Sequence, residues 1–267
     1  MRMDKRAIRR IAGQRGLGTK FLSKDVFLSR ILESLQDILD GRCVLKGGTA
    51  IVRGGHLDSP RFSEDLDIDV HTSDPKRKIA DEFKELLSEV EPFDVDPPRV
   101  HRMFIRFDAR YRNHFDEKDR IKLEIAPQDP RHLDITDPVP TRLTSPFTDQ
   151  GTAELLTYSR EDLFAMKVVA LSGRQNGKDP FDIRGMWRKG LDENAALVKL
   201  NRLANLDDVD ARAIIDDALD SMEWMSENKV AIVNIASHYI PRSDRPDWGS
   251  LLHDVGTIIR RLEGGLP

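Results

Sequence analysis

Three aspartates alternate with three apolar residues in the stretch Asp65-Leu66-Asp67-Ile68-Asp69-Val70, and this alternation restricts the fold more tightly than any other feature of the chain. Alternate residues of a strand share a face. Leu66, Ile68 and Val70 must therefore enter a core while the three carboxylates line up on the other side. Carboxylates this close repel and raise one another's pKa unless a cation sits among them. EF-hand loops use the same spacing, but they need glycine at the sixth position and glutamate at the twelfth. Here those positions are Val70 and Lys76, which excludes calcium in that mode. For the acids alone, two metal-free arrangements stay open: salt bridges to Arg61, or a solvent-facing edge strand.

The residues upstream narrow the choice. The short apolar run Arg42-Cys43-Val44-Leu45-Lys46 reads as a buried strand, and Gly47-Gly48-Thr49 follows as a turn into a short helix. Such a junction presents backbone N–H groups to a phosphate. Lys46 and Thr49 add a cation and a hydroxyl beside it. A further carboxylate, Glu124, alternates with Leu123 and Ile125 and can face the same way from a neighbouring strand. Asp65, Asp67 and Glu124 then form a set of hard oxygens suited to Mg2+, whose other ligands are waters and substrate phosphates. A pair of such ions would stabilise the attacking and leaving oxygens of an in-line displacement.

The rest of the chain supplies an α/β half, about residues 1–150, and an all-helical half, 151–267. Phe27, Ile31, Leu35 and Ile38 recur at helical spacing after Ser23, which reads as an N-cap, and Gly41 reads as the stop. Residues 75–90 are an amphipathic helix. Residues 99–112 and 120–128 alternate and predict a two-stranded hairpin. Prolines 127, 130, 138, 140 and 146 predict an irregular crossing segment. Ser159 with Asp162 opens a helix, and further helices are expected at 180–189, 193–204, 209–227, 229–239 and 248–263. Trp187, Trp224 and Trp248 are expected in helix packing. No apolar run approaches the ~20 residues of a membrane span. A single cysteine, Cys43, rules out an internal disulfide, fits a cytoplasmic protein and is expected to pack as a small apolar residue. The net charge of −4 argues against a uniformly basic coat, yet basic clusters occur at 99–112 and 174–188.

The segments Lys46-Gly47-Gly48-Thr49-Ala50 and Arg61-Phe62-Ser63-Glu64-Asp65-Leu66-Asp67-Ile68, with the later run from Ser159 to Ile183, resemble the AbiEii/AbiGii toxin family of polymerase-β-like nucleotidyltransferases. The resemblance implies an α+β protein: an N-terminal nucleotidyltransferase core followed by a C-terminal all-helical domain. It implies that Asp65 and Asp67 hold metal, with Ser63 and the Gly47–Gly48 turn at a triphosphate. It also implies that Lys167 and Asp182 complete the active site from the helical half. The activity implied is Mg2+-dependent transfer of NMP from an NTP to an acceptor hydroxyl. The 3′ end of tRNA is the expected acceptor, and an AbiEi-like antitoxin of a type IV or abortive-infection pair is the expected partner.

Read without the family, these late residues are less specific. Lys167 lies on or beside the apolar face of its helix, where a lysine either reaches solvent or meets an anion. Asp179 as N-cap, Pro180 at the first helical position and Asp182 two residues later make a good helix start with no chemistry. Arg174 and Lys178 can bind phosphate or be surface charge. Two other functions remain open: a nucleotidyltransferase acting on a small molecule, as aminoglycoside-modifying enzymes of the same core do, and an inactive relative that only binds nucleotide or a partner.

Overall fold

The computed structural model describes residues 3–134, 136–148, 150–206 and 208–266, and it divides into two compact units. One unit runs to Gly55 and resumes at Phe62–Tyr158; the other takes His56–Arg61 and the chain from Ser159 onward.

The first unit is α/β. Helices α1 (Lys5–Arg15) and α2 (Thr19–Ile38) precede β1 (Cys43–Lys46), α3 (Gly47–Arg53), β2 (Asp65–His71) and α4 (Lys76–Ser88). Strands β3 (Asp94–Val95), β4 (Arg99–Val100), β5 (Ile105–Arg112), β6 (Lys118–Gln128), β7 (Val139–Thr144) and β8 (Thr152–Thr157) follow. They form one mixed sheet in the order β3-β5-β6-β2-β1-β8-β7, with β4 paired to β5. Strand β2 sits at its centre, antiparallel to β1 and parallel to β6.

The alternation in β2 works as its sequence requires: Leu66, Ile68 and Val70 are fully buried. Phe107 on β5 and Leu123 and Ile125 on β6 join the same core, as do Leu28, Ile31, Leu32 and Leu35 of α2. Ser23 is not an N-cap. Helix α2 starts earlier, at Thr19, because buried Leu22 carries the apolar stripe one turn back from Val26. Ser23 is interior, and its hydroxyl lies 2.8 Å from Nδ1 of His114. The helix ends at Ile38, before Gly41.

The hairpin of β5 and β6 is present, closed by Asn113, whose Oδ1 accepts from the N–H groups of Phe115 and Glu117. Residues 99–112 are not one strand, however. The chain turns at His101–Phe104, where the His101 N–H donates to the Phe104 carbonyl at 2.8 Å, and β4 folds back on β5. The proline-rich segment also contains more order than expected. Pro140 sits in β7, the last strand in the order, where a missing N–H is tolerated. Pro127 lies on β6 beyond Ile125, where the ladder to β5 ends. Cys43 is buried, and burial pushes its thiol up to about 12.

The second unit is all-helical beyond its short first segment: α5 (Arg160–Gly173), α6 (Lys178–Arg188), α7 (Glu193–Leu206), α8 (Ala211–Glu227), α9 (Lys229–Ala236) and α10 (Trp248–Gly264). Ser159 caps α5 as expected, its Oγ accepting from the Asp162 N–H at 3.1 Å. Leu163, Val168, Ile215, Met225, Leu251 and Ile259 form the core. Trp248 is buried, and Trp224 is 44% exposed. Among the described residues no helix is long and apolar enough to cross a membrane.

Candidate active site

The sheet register assembles the acidic site of the first unit. Asp67 stands opposite Glu124 on β6 and opposite Lys46 on β1, and Asp65 stands opposite Lys122. All five side chains belong to the face away from Leu66 and Ile68. The Lys122 ammonium is 3.9 Å from Asp65 Oδ1. Asp65 and Asp67 are partly exposed, whereas Asp69 on the same face is buried.

The glycine turn closes directly on this face. Gly47 has a φ of +70°, in the left-handed region, and a Cβ added there would overlap Oδ2 of Asp67. Only glycine satisfies both demands. Thr49 is fully buried, and its hydroxyl donates to the Asp65 carbonyl at 2.6 Å and lies 3.1 Å from Oγ of Ser63. Thr49 therefore braces the turn against the start of β2 and holds Ser63 beside it.

Among the described residues no group of three or more His, Cys, Asp or Glu side chains is arranged to hold a metal ion. Asp65, Asp67 and Glu124 share a face without forming such a cage. A Mg2+ ion needs less than a cage: one or two carboxylates, with water and substrate phosphate at its other positions. Asp65 and Asp67, hard-oxygen donors on one strand face beside a turn that has no Cβ, meet that demand.

The second unit holds a separate buried charge cluster. Asp182 is fully buried and accepts two hydrogen bonds from Arg61, both at 2.6 Å, while Lys167 Nζ approaches its Oδ2 at 3.0 Å. Lys167 also donates to Asp179 Oδ1 at 2.8 Å, and Arg174 grips Asp179 from the other side at 2.8 and 3.0 Å. Burial alone would push both carboxyls up. The charges of Lys167 and Arg174 override it for Asp179 and hold that group at about 2, and Arg61 with Lys167 holds Asp182 below its usual range. Lys167 has met an anion, as its position on α5 allowed.

Asp179 is not an N-cap. Helix α6 begins at Lys178, preceded by Gly177, so Asp179 lies within the first turn and points into the cluster. Arg61 pairs with Asp182. It has no sequence signal, being 121 positions from its partner. Asp179 had one, since residues three apart on a helix share a face with Asp182. Lys178 lies 4.4 Å over the Tyr239 ring.

No curated protein matches the chain. Three solved structures are similar across nearly its whole length. JHP933 from Helicobacter pylori is 20% identical, with 94% of each chain covered and a TM-score of 0.60. A putative nucleotidyltransferase from H. pylori is 19% identical over 94% of this chain and 97% of its own, at a TM-score of 0.58. MenT4, a nucleotidyltransferase toxin from Mycobacterium tuberculosis, is 14% identical over 97% of this chain and 90% of its own, at a TM-score of 0.61. At these identities the likeness establishes a nucleotidyltransferase fold. The family model for the nucleotidyl transferase AbiEii toxin of type IV toxin–antitoxin systems matches residues 30–252. Because that match takes in the glycine turn, the acids of β2 and the Lys167–Asp182 cluster alike, the chain belongs to the AbiEii family of nucleotidyltransferase toxins and is an enzyme of that class.

Proposed function

We propose that the enzyme moves NMP from an NTP to the 3′-terminal hydroxyl of tRNA, releasing pyrophosphate, and acts in the cytoplasm as a toxin restrained by a cognate AbiEi-like antitoxin. The observation that carries this reading is the Gly47 turn lying against Asp67, with Asp65 and Glu124 on the same sheet face. Asp65 and Asp67 are the residues that would hold Mg2+, with Glu124 beside them. When bound, Mg2+ neutralises the charge of the phosphoryl oxygens and favours the in-line displacement. The acceptor oxygen forms its bond to the α-phosphorus as the bond to the β-phosphate oxygen breaks, and a carboxylate of this face takes the hydroxyl proton. Gly47, Gly48 and Ser63 receive the triphosphate with Lys46 as its cation, and Thr49 braces the turn; in the helical unit Lys167 and Arg174 are the cations available to a phosphate, and Asp182 orients Lys167.

The tRNA acceptor draws support from the β5–β6 ladder. Arg110 stands directly opposite Arg120, and Arg112 opposite Lys118, around a concavity of about 600 Å³. Like charges directly opposed across strands destabilise a sheet. Arg110, Arg112 and Arg120 are paired with Asp96, Asp116 and Asp108, and a phosphodiester chain would compete with those acids for the cations. The test is incubation with Mg2+, total tRNA and each of four labelled NTPs, resolved on a denaturing gel. Label on tRNA from at least one NTP is expected. Unlabelled tRNA alongside a labelled small hydroxyl compound would replace this reading with a small-molecule acceptor.

A further inference from the structure

The face of β2 that carries Asp65 and Asp67 grows more buried along its length: those two are partly exposed, while Asp69 and His71 are each 3% exposed. Asp69 is saturated. Its Oδ1 lies 2.6 Å from Nζ of Lys46 and accepts from Nε2 of Gln128 at 3.1 Å. Its Oδ2 accepts from the hydroxyl of Tyr158 at 2.8 Å. The Tyr158 oxygen lies 3.0 Å from Nε2 of His71. Since the tyrosine proton goes to Asp69, the histidine nitrogen must donate, and the chain of donors runs from His71 through Tyr158 to Asp69. Tyr158 itself is buried and follows β8 directly.

We infer that Asp69 is a positioning residue: anchored by Tyr158 and Gln128, it holds the ammonium of Lys46, the residue that leads into the glycine turn, in place for the triphosphate. The inference rests on the nucleotide reading of Lys46 given above. A lysine has a flexible four-carbon stem and a point charge, so its aim depends on an acid that cannot move. Asp69 is held inside the sheet independently of Lys46, by Tyr158 and Gln128. Lys46 stands across the ladder from Asp67. Released from Asp69, its ammonium has Asp67 as the next acid on the face. It would there neutralise a proposed metal ligand instead of meeting phosphate. The third aspartate of the alternating run thus serves the site by holding a cation and needs no contact with substrate.

The test is a double-mutant cycle on the full-length protein: wild type, Asp69→Asn, Lys46→Met and the double variant. Each is titrated calorimetrically with the α,β-methylene analogues of ATP, CTP, GTP and UTP in Mg2+, which bind without turnover. Each single change is expected to weaken binding by about tenfold, and the double variant to be no weaker than Lys46→Met. Wild-type affinity in Asp69→Asn, with Lys46→Met weakened, overturns the inference and leaves the nucleotide role of Lys46 standing. An Asp69→Asn effect that persists in the Lys46→Met background also overturns it, since that is the mark of general structural damage. Wild-type affinity in Lys46→Met overturns both the inference and that role. If Asp69→Asn does not fold, Tyr158→Phe takes its place, removing one donor and no charge. Its expected weakening is about threefold, present only with Lys46 intact, and a weakening that survives Lys46→Met counts against the inference.

Discussion

Replacing Arg61 with methionine removes an arginine that pairs with Asp182 and leaves the helical core otherwise filled. The two side chains are 2% and 0% exposed, and the guanidinium meets both carboxylate oxygens at 2.6 Å. Removing one partner of such a buried pair costs about 3–5 kcal/mol, because the other charge remains without its counter-ion. Lys167 stays 3.0 Å from Asp182, and Arg174 still serves Asp179, so the lower end, about 3 kcal/mol, is expected. For a unit of this size that is a fall in Tm of roughly 10 °C. The assay is built into the sequence. All three tryptophans, Trp187, Trp224 and Trp248, belong to the helical unit, so fluorescence during urea unfolding reports on it. The same cluster sets an acid limit. Asp179 titrates at about 2 in the folded state. An acid depressed below its unfolded value of about 3.9 contributes stability above that pH, here about 2–3 kcal/mol, and loses it as pH falls through the folded value. Tryptophan-monitored stability should therefore decline from about pH 4 down to about pH 2. An Arg61→Met protein within about 0.5 kcal/mol of wild type at neutral pH would refute the claim that this pair holds the helical unit together.

Further perturbations address the proposed chemistry. Asp65→Ala should abolish nucleotidyl transfer while leaving the Tm unchanged or slightly raised, because repulsion from Asp67 is relieved; substantial transfer by a folded variant would return Asp65 to the surface. Gly47→Ala should cost about 1–2 kcal/mol for its left-handed backbone and should also impair transfer by displacing the Asp67 carboxylate, read together by melting and by gel. Lys167→Ala should weaken NTP binding and slow transfer by orders of magnitude, with poor rescue by arginine, and unchanged affinity by calorimetry would confine this lysine to a structural role. Affinity for tRNA should fall with salt at a log–log slope of roughly −0.7 per phosphate contacted, and Arg110→Ala with Arg120→Ala should make that slope shallower with NTP binding unaffected.

What the sequence disclosed, and what it hid, follows from the range of the interactions involved. Leu66, Ile68 and Val70 declare a strand by themselves, since a period of two is a local property. The Ser159 cap is likewise written within four residues. Ser23 misled because a good capping residue was outweighed by Leu22, whose burial depends on partners far along the chain. The strand at Val139–Thr144 was hidden by Pro140, which is tolerated because this strand is the last in the order. Arg61 was beyond reach for the same reason as Leu22: its partner is distant in sequence, and nothing in the local pattern names it.

The aspartates make the point most sharply, because composition and spacing treat Asp65, Asp67 and Asp69 alike. What separates them is burial and the donors it brings. A carboxylate that is partly exposed can be reached by a cation or a substrate from solvent. One enclosed by Lys46, Gln128 and Tyr158 has its lone pairs taken and can act only by holding its neighbours. The helical unit repeats this division: Asp179 and Asp182 are fully buried, and each has its oxygens taken by two cations. On the proposed reading Asp182 orients Lys167. Asp182→Asn then supplies a direct check, since an amide keeps the shape but gives up one charge. Transfer should fall along with NTP affinity, through a misplaced Lys167, and the pH dependence of transfer should keep its shape; a lost acidic limb would instead make Asp182 a proton acceptor.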